Sequence, residues 1–162
     1  MNPLFVSGGC AVALLVVGGL ATPIGPWYRD LRKPAWQPPD WLFGPAWTVI
    51  LGLAAWSAAI AWTAAPDASG RTSVVILFAV NALCHFLWSP LFFRLRRPDW
   101  ALVEVVFLWA SLVALLVGLW PISPFAALLI LPYFAWVSFA AFLNLTIVRL
   151  NGPFARFVAA RK

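Results

Sequence analysis

A run of 44 residues without a charged side chain, from Val105 to Val148, constrains this 162-residue chain more than any other feature. A soluble domain must cover its surface with polar groups and typically has about 25% charged residues, whereas this chain has 10%. In lipid that requirement disappears, because apolar side chains can face outward as well as inward. The chain is therefore predicted to be an integral membrane protein.

The long run also predicts how the chain is divided. A helix needs about 20 apolar residues to cross a bilayer, so the run is too long for one crossing, and Pro121 and Pro124 divide it. The predicted spans are residues 3–22, 43–64, 72–93, 100–120 and 124–149. We therefore predict an all-α fold, in which residues 1–162 form one membrane domain: a five-transmembrane-helix bundle with a long, ordered capping loop at residues 23–42.

The basic residues predict how the bundle is oriented. Ten lie after the first, third and fifth spans, and only Arg71 lies on the other side. Cytoplasmic segments of membrane proteins carry the excess of Lys and Arg, so the carboxyl terminus is expected in the cytoplasm. With no organelle-targeting segment in the sequence, the bacterial cytoplasmic membrane is favoured, and the mitochondrial outer membrane is the alternative. The ten are Arg29, Arg32, Lys33, Arg94, Arg96, Arg97, Arg149, Arg156, Arg161 and Lys162.

These basic residues form no stripe of the kind that follows a phosphate backbone, so nucleic acid is not an expected partner. The capping loop contains five prolines and four aromatic residues that make it stiff rather than flexible. Loops of this length are commonly functional. We expect this loop to fold back over one end of the bundle.

Enzymatic and metal chemistry find little support in the sequence. There is one histidine, there are five acidic residues, and Cys10 and Cys84 lie in apolar runs without a Cys-x-x-Cys pair. No catalytic or metal-binding residue is therefore predicted. Glu104 is interpreted as an acid in the first turn of the fourth span, where the helix dipole favours it; a proton-relay role is the alternative.

Tryptophan stands out, with 11 residues. Two helical stripes place deep aromatic rings beside neutral polar groups, which should point into the bundle. These stripes are Asn81, His85 and Trp88 in the third span, and Tyr133, Trp136, Ala140 and Asn144 in the fifth. They suit a planar ligand held by stacking and a few hydrogen bonds. The alternative is that the same groups only pack the helices together.

Three segments resemble the TspO/MBR family, the tryptophan-rich sensory proteins related to the mitochondrial translocator protein or peripheral benzodiazepine receptor. The first runs from Trp27 to Trp41 with the pattern W-Y-x-x-L-x-K-P-x-W-x-P-P and continues as Gly44-Pro45-Ala46-Trp47. The others are Leu87–Phe93, with sequence LWSPLFF, and Pro132–Asn144. The resemblance covers about residues 5–151.

The resemblance implies a five-helix bundle, often a homodimer, with a cavity under the first loop that binds porphyrins and benzodiazepine-type ligands. Membrane lipid, including cholesterol or another sterol, would contact the outer surface. The function implied is a receptor or sensor with porphyrin or haem as ligand and no obligatory cofactor. A photo-oxidative porphyrin-degrading enzyme and a small tetrapyrrole or lipid transporter are the alternatives. Carried over by position, the cavity residues would be Trp36, Trp41, Trp47, Trp88, Trp136 and Asn144.

The sequence departs from the family pattern in three places. Asn81 and His85 occupy positions where the family usually has Gln and Asn, and Leu51 replaces a Tyr. Leu145 replaces an aromatic residue, so the cholesterol-recognition motif before Arg149 is not intact, which argues against cholesterol as the natural ligand. His85 suggests an axial ligand for haem iron. The alternative is that it replaces Asn as a hydrogen-bonding group.

Overall fold

The computed structural model describes residues 2–154, so Arg156, Arg161 and Lys162 of the predicted basic side lie outside the described residues. Five helical segments of this part of the chain are long and apolar enough to cross a membrane, and the predicted all-α five-helix bundle is confirmed. The protein is thus an integral, multi-pass membrane protein. Its helices are α1 (Pro3–Ala21), α2 (Pro26–Asp30), α3 (Phe43–Ala64), α4 (Ala68–Ser89), α5 (Pro98–Leu119), α6 (Pro124–Leu128) and α7 (Leu131–Asn151).

The third and fourth spans begin earlier than predicted. The carboxylate of Asp67 accepts a hydrogen bond of 2.7 Å from the amide of Gly70, and this N-cap starts α4 at Ala68 rather than at residue 72. Arg71 therefore lies in the first turn of a helix. In the fourth span, Pro98 begins α5 instead of residue 100, since proline is well suited to the first turn of a helix, where its missing N–H is not needed.

The fifth span consists of two helices, α6 and α7, rather than the single predicted helix at 124–149. The hydroxyl of Ser123 caps α6 by accepting from the amide of Ala126 at 3.3 Å. Two turn residues, 129–130, separate α6 from α7. Pro132 has no N–H to donate to the carbonyl of Leu128, which interrupts the helical hydrogen-bond ladder at this point.

The end of α4 is also irregular. Pro90–Arg94 form a π-helical turn, in which the amide of Leu95 donates to the carbonyl of Pro90 at 2.9 Å. Such turns occur often at functional sites. Here the turn directs Phe92 into the bundle, where it is 2% exposed and stacks on Trp88.

The small side chains of α3 are buried within this single chain. Ser57 is completely buried and donates to the carbonyl of Ala126 at 2.7 Å. Because α3 packs against α1 and α6, its small residues allow close helix approach inside the bundle. Neighbouring helices of the same chain cover five of these residues. The five are Ala54, Ala55, Ser57, Ala59 and Ala61.

The capping loop lies over one end of the bundle and is fastened there. The side-chain amide of Asn151, at the end of α7, accepts from the backbone N–H of Arg32 and donates to its carbonyl, both at 2.8 Å. At the same end, Arg94 donates to the carbonyl of Leu20 at 3.1 Å. The loop is therefore joined to the last helix through backbone groups.

Candidate ligand-binding cavity

A cavity of about 330 Å³ lies between α1, α3, α4, α5 and α7, directly beneath the capping loop. This volume is at the lower end of the range typical of small-molecule sites. Most of the rings in its wall come from the ends of helices nearest the loop. The aromatic lining residues are Tyr28, Phe43, Trp47, Trp88, Phe92, Phe93 and Trp136.

Trp47 is the centre of this aromatic wall. Its ring makes edge-on contacts with His85 at 4.7 Å, with Tyr133 at 5.9 Å and with Trp136 at 6.3 Å between ring centroids. Edge-on pairs of this kind are a favourable geometry for aromatic rings. Three spans, α3, α4 and α7, thus meet at one tryptophan.

His85 lines the cavity and is held from behind by Tyr133. The hydroxyl of Tyr133 and Nδ1 of His85 are 2.9 Å apart. Tyr133 either donates to Nδ1 or accepts from it, depending on the imidazole tautomer. Tyr133 is 1% exposed and does not itself line the cavity. It therefore lies behind His85 and holds that ring in the wall.

The cavity wall contains two hydrogen-bond donors without a partner. The indole nitrogens of Trp88 and Trp136 are buried and make no hydrogen bond within the described residues. Leaving a buried N–H unsatisfied is unfavourable by about 1–3 kcal/mol. By contrast Trp109, on the outside of the bundle, donates to the hydroxyl of Ser138 at 3.0 Å. The two unpartnered donors belong to the cavity.

The two asparagines of the predicted stripes use their amides within the protein. Asn81 donates to the hydroxyl of Ser111 at 2.9 Å and does not line the cavity. Asn144 borders the cavity, but with its amide oriented to satisfy both atoms, it donates to the carbonyl of Pro98 and accepts from the amide of Leu102, each at 3.1 Å. Both residues therefore tie α5 to its neighbours, as the helix-packing alternative predicts. Ala140 lines the cavity, where its small side chain leaves room.

The two loop tryptophans predicted to line the cavity lie elsewhere. Trp36 stacks on Phe142 at 5.3 Å and contacts Phe139 edge-on at 5.8 Å, on the outer side of α7. Trp41 is 71% exposed, and neither residue is in the cavity wall. An aromatic loop pattern does not reveal which way each ring turns, and beneath the loop it is Tyr28 that lines the cavity. Whether Trp36 and Trp41 contact a ligand stays a prediction.

Tyr28 is a cavity residue that the sequence reasoning missed. Its ring lies 5.4 Å from Phe93, and its hydroxyl lies 3.3 Å from a carboxylate oxygen of Asp40 and 3.1 Å from Nε2 of Gln37. Burial, together with the negative charge of Asp40, raises the pKa of Tyr28 to about 12. The Trp-Tyr pair in the loop motif was the signal that could have identified it.

Glu104 does not fit its sequence interpretation. Because α5 begins at Pro98, Glu104 lies in the second turn, and Asp99 is the acid of the first turn. Glu104 is 8% exposed, and neither carboxylate oxygen has a hydrogen-bond partner among residues 2–154. It does not line the cavity.

Among residues 2–154, no group of three or more His, Cys, Asp or Glu side chains is arranged to hold a metal ion.

Comparison with known proteins gives consistent relatives over nearly the whole chain. Residues 6–150 match the TspO/MBR family. The tryptophan-rich protein TspO of Chlorobaculum tepidum is 36% identical over 157 residues, which is 93% of this chain and 99% of that protein. Protein CrtK of Rhodobacter capsulatus is 36% identical over 91% of this chain and 89% of its own. The human translocator protein is 32% identical over 77% of this chain and 75% of its own. The chain therefore belongs to the TspO/MBR family.

Proposed function

We propose that this protein is a membrane receptor for porphyrins and similar flat, apolar molecules, which it binds in the cavity beneath the capping loop. Membership of the TspO/MBR family supports a membrane role of the sensor or transporter type. The basic loop end of the bundle would face the cytoplasm, as the excess of Lys and Arg at that end favours.

The observation that carries this proposal is the pair of buried, unpartnered indole N–H groups in an otherwise aromatic wall. Trp88 and Trp136 offer these donors, and the rings around Trp47 offer faces and edges for stacking. A suitable ligand has a flat apolar body and hydrogen-bond acceptors at its edge. A porphyrin with carboxylate side chains has both properties.

His85 gives the proposal a more specific form for haem. Its imidazole lines the cavity, and Tyr133 lies within hydrogen-bond distance of Nδ1. In the tautomer in which Nδ1–H donates to the Tyr133 oxygen, the lone pair of Nε2 would be available to iron. Histidines that bind metals commonly have their other ring nitrogen hydrogen-bonded in this way. When bound, haem would supply the iron, His85 would hold it, and Tyr133 would orient the imidazole.

Binding is tested by titrating protoporphyrin against the detergent-solubilised protein and following tryptophan fluorescence. We expect saturable quenching, with Trp136→Phe binding about fivefold more weakly because one hydrogen bond to a charged or polar acceptor is lost. Trp109→Phe is the matched control, because its indole N–H is already used by Ser138. Quenching that never saturates would remove the proposal.

The haem assignment is tested separately with His85→Ala. This variant should lose the absorption spectrum of histidine-bound haem but still bind iron-free protoporphyrin, because only the iron ligand is removed. An unchanged haem spectrum would exclude His85 as the iron ligand. The same purified protein distinguishes the alternative functions: a transporter should move labelled porphyrin across proteoliposomes, and a degrading enzyme should bleach bound porphyrin under light faster than free porphyrin bleaches.

A further inference from the structure

A second hollow lies on the outer surface of the bundle. It is a groove of about 540 Å³ between α3 and α7, and every residue that lines it is apolar. Val49 in this groove is 62% exposed, and both helices belong to membrane spans. The groove therefore opens toward the hydrocarbon of the bilayer rather than toward water.

Only one layer of side chains separates this groove from the cavity. On α3, Ala46 and Ile50 line the groove, while their sequence neighbours Trp47 and Leu51 line the cavity. On α7 the pattern repeats: Phe139 lines the groove and Ala140 the cavity. Trp136 lines both spaces. A single indole ring is thus the shared partition between them.

Among the described residues, Trp136 is held by packing against the core and by ring contacts, and its indole makes no hydrogen bond. Its neighbours Phe43 and Phe139 have ring centroids 5.7 Å away, and Trp47 lies at 6.3 Å. Its N–H has no hydrogen-bond partner in residues 2–154, so a change of its side-chain rotamer would break no hydrogen bond. The helices on either side of it, α3 and α7, also pack sparsely against each other.

The alternative entrance, at the loop end, is covered. Tyr28 is buried above the cavity and is linked to Asp40 and Gln37. Further along the loop, Asn151 holds the backbone of Arg32 from both sides. A flat apolar molecule dissolves in lipid more readily than in water, so a route from the bilayer requires neither transfer through water nor release of the loop.

We propose that the α3–α7 groove is the entrance by which an apolar ligand passes sideways from the bilayer into the cavity, with Trp136 as the movable partition. This inference rests on the proposed function, since it concerns access to the same cavity. Once displaced, the indole N–H of Trp136 can donate to an acceptor on the passing ligand.

The test narrows the groove without altering the cavity wall. Val49→Phe and Ala135→Phe each add a ring to the groove from a different helix, and neither residue lines the cavity. Val103→Phe is the matched control: Val103 lies on α5, is also 62% exposed, and lines neither space. Each protein is reconstituted in phosphatidylcholine vesicles and mixed with donor vesicles that carry protoporphyrin, and porphyrin emission sensitised by tryptophan is followed with time.

A narrowed entrance raises the barrier equally for entry and exit. Both groove variants should therefore slow association and dissociation by about tenfold or more, which corresponds to about 1.4 kcal/mol of barrier, with little change in Kd. The control should keep the wild-type rates. The inference would be overturned if a groove variant with the wild-type melting temperature showed wild-type association and dissociation rates. Equal slowing of these rates in Val103→Phe would also overturn it. Failure of the wild-type protein to bind protoporphyrin at all would instead remove the proposed function.

Discussion

The two halves of α5 are packed in opposite ways. In the half away from the capping loop, Leu112, Leu115 and Leu119 are all completely buried. In the half beneath the loop, Val105 and Leu108 form walls of the cavity. Protein interiors are normally close-packed, and unfilled space forfeits dispersion contacts. One half of the bundle thus maintains the fold, while the other leaves space that a ligand can fill.

The comparison predicts the largest effect for truncation in the close-packed half. Leu112→Ala should lower the free energy of unfolding by about 2–5 kcal/mol. Leu108→Ala should lower it by no more than the smaller of these values, because the Leu108 side chain already borders empty space. Thermal unfolding in detergent measures both. Protoporphyrin at about 100 times its Kd should raise the stability of either protein by about 2.7 kcal/mol. Equal losses in the two variants would contradict this division of the bundle.

Alkaline pH should have a smaller effect on the free energy of unfolding, and this effect arises at Tyr28, where the capping loop meets the bundle. Below pH 10 the Tyr28 hydroxyl is protonated in both the folded and unfolded states. Between pH 10 and about 12 it ionises first in the unfolded state, since burial beside Asp40 raises its pKa to about 12 in the folded protein. The free energy of unfolding should therefore fall over this window by up to about 2 kcal/mol.

The measurement is the unfolding midpoint as a function of pH, and Tyr28→Phe is the control. This variant keeps every lysine and arginine, so it retains their contribution to the pH dependence but should lose the component that belongs to Tyr28. If the wild-type and variant curves stay parallel from pH 9 to pH 12, Tyr28 does not couple ionisation to loop packing.

The smallest effect separates two tryptophans with opposite hydrogen-bond states. Trp109→Phe should lower stability by about 1 kcal/mol, because it leaves Ser138 without its indole donor. Trp88→Phe removes an N–H that has no partner within the described residues, so it should weaken porphyrin binding about fivefold with less effect on stability. Paired melting and binding curves check both. If Trp88→Phe lowered stability more than Trp109→Phe and left porphyrin binding unchanged, the indole N–H of Trp88 would not be a donor to the ligand.

Much of the fold could be predicted from the sequence because lipid imposes a length on each apolar run. All five spans were identified, and α3 begins and ends as predicted. The errors lie at helix ends, where local groups decide. The cap formed by Asp67 extends α4 by a turn, and Pro132 divides the last span. Both depend on individual hydrogen bonds that hydropathy does not report.

The site was predicted less completely, because helical spacing shows which face of a helix a residue lies on but not whether it reaches the cavity wall. Trp47, His85, Trp88, Trp136, Ala140 and Asn144 all border the cavity, as their stripes and the family resemblance indicated. Whether each of them binds ligand stays a prediction. Asn81 and Tyr133 lie one layer further back. The loop residues Trp36 and Trp41 lie outside the cavity wall, a placement that the sequence could not give, because an extended, proline-rich segment has no periodicity from which to read the direction of a ring.

The clamp between Asn151 and Arg32 has a consequence for the order in which the molecule is assembled. The two partners are 119 residues apart along the chain, and Asn151 is at the end of the last span. During translation the capping loop is made early and can pack on the end of α4, but its hydrogen bonds to Asn151 cannot form until the final helix is inserted. Because α7 also supplies Trp136 and Ala140 to the cavity wall, we expect the cavity to be completed last, after the aromatic residues of α3 and α4 have been made.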